Sequence, residues 1–167
     1  MDIPTLSTAR LNLVPPDERH FDAYAAALAD ATLVEHLEAK PFDRTDAHRN
    51  LCAMVGHWVL RGWGGFLVEE RESGRFVGRV GIIDWEGWPE PEIGWWTVPA
   101  VWGRGYATEA ARAVLDFVRE RYRRTRLVSF IRPANARSIR VAEKLGASYD
   151  HDIELHRELA RVYVHTL

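Results

Sequence analysis

Residues 101–120, VWGRGYATEAARAVLDFVRE, set Gly103 and Gly105 one residue apart and directly in front of a run with helical patterning. Glycine frees the backbone to turn and clears side chains from the amides. The first N–H groups of a helix have no partner within it, and its dipole adds partial positive charge there. Consecutive amides from Gly103 to Ala107 therefore suit an anion, and a diphosphate is the natural guest. Two common anion loops do not fit. A P-loop needs Lys and then Ser or Thr after its second glycine, where this chain has Tyr106 and Ala107. A dinucleotide fingerprint needs a parallel strand–turn–helix unit and an acid at the end of the next strand, whereas RLVSFI (residues 126–131) carries none.

Further residues with chemical potential lie on either side. RPANARSIRVAEKLGA, residues 132–147, places Asn135 three positions before Ser138, and Asn135 is also well suited to cap the helix that follows. Glu92 heads the run EIGWW; burial beside Trp85, Trp95 or Trp96 would raise its pKa toward neutrality, and the alternative is a solvated carboxylate beside Glu86 and Glu90. Cys52, next to Leu51 and Val55, reads as a buried structural thiol. The seven histidines show no metal-ligand spacing, so no metal is expected.

These residues have to be positioned by an α+β framework. Leu11 and Leu13 alternate in a short strand; helices follow over about 17–30, with Asp17 as its cap, and over 45–60, on a stripe of Leu51, Val55, Trp58 and Val59. GFLVEE, FVGRVGIIDW and PEIGWWTV form an antiparallel meander. The helix after Gly105, a strand at 126–131, a helix over about 135–145 ended by Gly146, and strands near 148–155 and 161–166 complete the chain. The expected order is β-α-α-β-β-β-α-β-α-β-β, a mostly antiparallel mixed sheet of about seven strands with four helices, in a single domain.

Composition narrows the classes. The 167 residues carry 28% charged and 47% hydrophobic side chains and a formal net charge of -2, the balance of a globular protein with no general attraction to nucleic acid. RERYRRTR (119–126) reads as the solvated end of a helix rather than a phosphate patch. The first residues lack the pattern of a signal or membrane-spanning segment, so a cytoplasmic setting is expected.

Placed after EIGWWTVPA and followed by ATEAARAVLDFV, the glycine loop resembles the acyl-CoA loop of the GNAT superfamily of N-acetyltransferases, in its ribosomal-protein N-terminal acetyltransferase branch. The run with Asn135, Ser138 and Glu-Lys-Leu-Gly resembles the second motif of that branch. The resemblance implies acetyl-CoA as cofactor, held by Trp96, Val98, Gly103, Arg104, Gly105, Tyr106, Ala107, Thr108 and Asn135, with the pantetheine arm between two splayed parallel strands. It further implies Glu92 as the base, direct or through water, a backbone amide near Val98 as oxyanion donor, and Ser138 as proton or hydrogen-bond donor to the thiolate. Many members carry a tyrosine where this chain has Ala142, which keeps open a non-catalytic acyl-CoA-binding sensor or interaction module on the same fold. Arg137, Arg140 or Lys144 would meet the cofactor's 3′-phosphate. The acceptor is expected to be a protein N-terminus or a small cationic amine, flanked by the first two helices, Trp63, Trp85, Trp88, Glu86 and Glu90. The protein is expected to act as a monomer or homodimer, with no nucleic-acid or membrane partner.

Overall fold

Alternating apolar residues join eight strands into one sheet in the computed structural model, which describes residues 3–37 and 40–167. The strands are β1 (Leu6–Ser7), β2 (Leu11–Val14), β3 (Gly65–Glu70), β4 (Phe76–Ile83), β5 (Glu92–Thr97), β6 (Arg126–Ile131), β7 (Ser148–Leu155) and β8 (Glu158–Thr166). Their spatial order is β1-β2-β3-β4-β5-β6-β8-β7, and every neighbouring pair is antiparallel except β5 and β6. Five helices flank the sheet: α1 (Phe21–Leu28), α2 (Ala31–Val34), α3 (Arg44–Arg61), α4 (Tyr106–Tyr122) and α5 (Ala136–Lys144). The expected mixed antiparallel architecture is present. The two elements beyond the sequence reading, β1 and α2, have two and four residues, too few to show a period.

Each helix starts and stops for local reasons. Asp43 caps α3 by accepting the Asp46 N–H at 2.8 Å, and Gly62, at φ 79°, ends it in a left-handed turn. Asp17 does cap its segment, although the first turn there is 3-10 (Glu18–His20) before α1 begins. The arginine run closes α4 as expected, with Arg123 left-handed at its end.

Two apolar layers sandwich the sheet. Phe66, Val80 and Trp95 pack against Ala110, Ala111, Val114 and Val118 of α4, while Leu67 and Phe76 pack against Tyr24, Leu51 and Met54 of α1 and α3. The stripe of α3 differs from the sequence reading: Ala47, Leu51, Met54 and Trp58 are buried, and Val55 and Val59 are exposed. Cys52 is exposed as well, with its sulfur 3.8 Å from His48 Nδ1, because a residue following Leu51 is turned about 100° from the buried stripe. It is not the buried thiol the sequence suggested.

Within the layer under α4, Phe66 makes edge-on contacts with Trp58 (5.1 Å) and Phe117 (6.0 Å). Truncation by Phe66→Ala is expected to cost about 3–5 kcal/mol. The measurement is the midpoint of urea unfolding, which should fall with little change in slope.

Candidate active site

A fork between β5 and β6 forms the centre of the site. The two strands share one register pair, Glu92 with Val128, and then diverge. Val98 N–H donates to Val77 C=O at 2.9 Å, so strand alternation turns the N–H and C=O groups of residues 93, 95 and 97 toward β6. Two of those carbonyls are taken: Ile93 accepts from the Ser129 hydroxyl at 2.7 Å and Thr97 accepts from Trp102 Nε1 at 2.7 Å. The Trp95 amide and carbonyl and the Thr97 amide face the gap. Backbone groups left free in this way fit an amide-bearing chain laid between the strands.

Side chains hold the fork open. Where the ladder would continue, Phe130 N–H donates to Glu92 Oε1 at 3.1 Å, and Trp88 Nε1 donates to the other carboxylate oxygen at 3.1 Å. Glu92 is 7% exposed, and burial is the main cause of a pKa raised from 4.5 to about 7; the two donors and the Arg79 charge pull the other way. The indole that reaches the carboxylate is that of Trp88, not of Trp85, Trp95 or Trp96, and its hydrogen bond opposes the rise that burial causes. Behind the fork, His165 Nε2 lies 3.0 Å from the Ser129 hydroxyl. That hydroxyl already donates to Ile93, so the histidine must donate to it and carry its proton on Nε2. Burial and the Arg112 charge lower the His165 pKa to about 4, keeping the ring neutral.

The glycine loop is built for amides to face outward. Gly103 and Gly105 adopt φ of 79° and 78°, and nothing lies within 4 Å of a side chain placed at Gly103, so conformation rather than space demands glycine there. The first intrahelical bond of this turn is Glu109 N–H to Gly105 C=O, which leaves the amides of Tyr106, Ala107 and Thr108 without helical partners. The loop is braced from behind. Arg10 pairs with Glu109 at 2.6 Å and donates to the Arg104 carbonyl at 2.9 Å, while the Tyr106 hydroxyl donates to Glu70 at 2.6 Å.

Two cavities meet at the fork. One, of about 390 Å3, is lined by Trp96, Gly103, Gly105, Tyr106, Ala107 and Thr108 of the strand and loop, with Arg137, Arg140 and Lys144 on its α5 side. The other, of about 500 Å3, holds Glu92, Arg79, Trp85 and Trp88. Asn135 and Ser138 line both. Asn135 caps α5 by accepting the Ser138 N–H at 3.1 Å, and no partner of the Ser138 hydroxyl is found among the described residues.

Several expected positions differ. Of the amides near Val98, that of Val98 itself belongs to the β4–β5 ladder, whereas that of the adjacent Thr97 faces the fork, as does that of Trp95. The Arg104 side chain turns toward Glu70, 3.9 Å away, and its amide donates to Val101 at 3.3 Å, so it contributes little to the loop's open face. Trp63 packs in the core beneath Arg124. Glu86 pairs loosely with Arg61 in solvent and Glu90 with Arg126, so neither lines the larger cavity. Sequence reasoning missed Arg79, although a lone arginine within the apolar run FVGRVGII was a usable signal. Among the described residues, no cluster suits a metal and no helix is long and apolar enough to cross a membrane.

Comparison with known proteins agrees with this geometry. The model of an acetyltransferase (GNAT) domain matches residues 10–148. An acetyltransferase from Agrobacterium tumefaciens str. C58 superposes with a TM-score of 0.90 at 32% identity, over 100% of this chain and 96% of its own. Bacillus subtilis (strain 168) YkkB, an uncharacterized protein, is 37% identical over 100 residues, 59% of this chain and 58% of YkkB's length. A Salmonella typhimurium acetyltransferase that modifies the N-terminal serine of ribosomal protein L7/L12 shares the fold, with a TM-score of 0.82, 16% identity and 98% and 99% coverage.

The buried Glu92 makes stability depend on pH. Its pKa is higher folded than unfolded, so the folded state holds a proton that the unfolded state releases, and stability falls as pH rises from about 4.5 to about 7. The loss approaches roughly 3 kcal/mol at about 1.4 kcal/mol per unit. Chemical unfolding at intervals from pH 4.5 to 8 should show this decline in the parent protein. In Glu92→Gln the same scan should lack it.

Proposed function

As the chain belongs to the GNAT family of N-acetyltransferases, whose acetyl donor is acetyl-CoA, we propose that it acetylates a primary amine by direct transfer in a ternary complex, with Glu92 as the base. The single observation that carries this reading is a buried carboxylate, raised to about 7, in the larger of two cavities that meet at the fork. Acetyl-CoA would supply the activated acyl group as a thioester, with its diphosphate on the amides of Tyr106, Ala107 and Thr108 and its arm against Trp96 and the free Trp95 and Thr97 groups. Asn135 would serve as helix cap and as a contact to that arm.

The chain's own residues then have three tasks. A protonated amine must lose a proton before it can attack, and a base with a pKa near the working pH does this best. Glu92 meets that condition. The Trp95 and Thr97 amides stand where charge on an acyl oxygen would develop, held fixed by the sheet. Ser138, with an uncommitted hydroxyl at the junction of the cavities, donates a hydrogen bond to the departing sulfur. Ala142 is fully buried against α4, so its side chain faces the core and not the cavities. The acceptor is a protein N-terminus or a small amine entering from the α1 and α3 side, through the cavity containing Leu28 and Asn50.

Glu92→Gln should lower kcat by about 10²–10⁴-fold and remove the rising limb, with apparent pKa near 7, from the pH profile of kcat/KM. Acetyl-CoA at about a hundred times its Kd should stabilise both parent and Glu92→Gln by roughly 2.7 kcal/mol in thermal unfolding. Gly105→Trp should abolish that stabilisation. Full turnover by Glu92→Gln would remove the carboxylate from the reaction, and cofactor binding without turnover of any amine would leave the acyl-CoA sensor.

A further inference from the structure

The larger cavity contains a cation that the proposed reaction does not use. Arg79 lies in β4 in register with Trp96, and Ile83 of the same strand is in register with Glu92. Residues two apart share a face, so Arg79 and Glu92 border the same hollow, with Gly81 and Gly94 paired on the rung between. Their backbones are separated along the strands by four residues, roughly 13 Å, a gap that the two side chains narrow from both ends. Space for the guanidinium is left by Gly65: a Cβ there would stand 3.2 Å from Arg79 Nε.

Among the described residues, Arg79 makes no hydrogen bond or ion pair, and it acts on Glu92 only through space. A half-buried guanidinium with five donors and no acceptor is costly unless something else completes it. The rest of the cavity cannot do so. Glu158 is held by Arg132 at 2.6 Å, Glu92 is held by Trp88 and Phe130, and the acids expected at the mouth, Glu86 and Glu90, point elsewhere. The cavity is therefore short of negative charge at one end and carries the proposed base at the other.

We propose that Arg79 binds a carboxylate on the acceptor, so that the substrates are amines bearing a carboxylate within a few bonds of the reacting nitrogen, as in amino acids. This rests on the larger cavity being the acceptor side. The planar fork of an arginine matches a carboxylate with two parallel hydrogen bonds, which fixes orientation as well as attraction. The amine end then falls toward Glu92, and the indoles of Trp85, Trp88 and Trp96 pack against whatever side chain the acceptor carries. The purely cationic acceptor expected from the acidic residues around position 90 is disfavoured by the same charges.

The test compares L-phenylalanine, L-phenylalaninamide and phenethylamine, three amines of similar shape of which only the first has a carboxylate. Turnover is followed as CoA thiol release, and binding as quenching of tryptophan fluorescence. The parent should prefer L-phenylalanine by at least tenfold in kcat/KM or in affinity. Arg79→Gln should reduce that preference by about 10–100-fold through KM or Kd, the effect of losing one charged hydrogen-bonded pair, while Arg79→Lys retains part of it. The limb near pH 7 should persist in Arg79→Gln, which separates anchoring from proton transfer. A parent that binds or turns over the three amines equally, or a preference unchanged in Arg79→Gln, overturns the carboxylate anchor while leaving the acetyltransferase reading intact. Carboxylate-dependent binding without any CoA release supports the anchor and counts against that reading.

Discussion

One buried carboxylate determines how the centre of this protein is arranged. Where a parallel ladder would carry β5 and β6 onward, Glu92 accepts the Phe130 amide, and the Ser129 hydroxyl takes the Ile93 carbonyl. Those two substitutions satisfy backbone groups that would otherwise hold the strands together, so the divergence does not leave a buried donor unpaired. The same contacts place a carboxyl group in a poorly solvated site, and its pKa rises as a result. The divergence of the strands and the raised pKa of the carboxyl group are thus consequences of a single arrangement.

Around that centre the protein separates two electrostatic environments. The smaller cavity presents free helix-end amides and the cations of α5, an arrangement for anions that relies on backbone geometry and survives many side-chain changes. The larger one is aromatic, and two of its charged groups, Arg79 and Glu92, come from strands β4 and β5, where position is fixed by register. The neutral His165, locked by Ser129 at the back of the fork, adds rigidity without adding charge near Glu92. The loop itself is steadied from outside by Arg10 and Glu109, residues 99 positions apart in sequence.

Much of this was legible in the chain before folding. Paired glycines before a helical pattern specify their own backbone conformation, because Gly103 and Gly105 are free of a Cβ and the helix that follows exposes its amides whatever packs around it. Asn135 as a cap, the strand periods and the end of α4 are equally local, set by residues within a turn or two. That is why the mixed sheet, the loop and the fork's two strands could all be anticipated, and why the two shortest elements could not.

What only the tertiary structure decided depends on which distant residues meet. Trp88 rather than its tryptophan neighbours reaches Glu92; Glu86 and Glu90 leave the cavity; Trp63 enters the core; and Cys52 turns outward. The Val98 amide was lost to Val77 because ladder alternation is set by register, and register is not encoded in either strand alone. Arg79 gained its place only once β4 was laid beside β5 with Gly65 behind it. The sequence by itself determined conformations that a few neighbouring residues can impose; the pairings that set charge, burial and acidity required the sheet, because each depends on contacts between segments far apart in the chain.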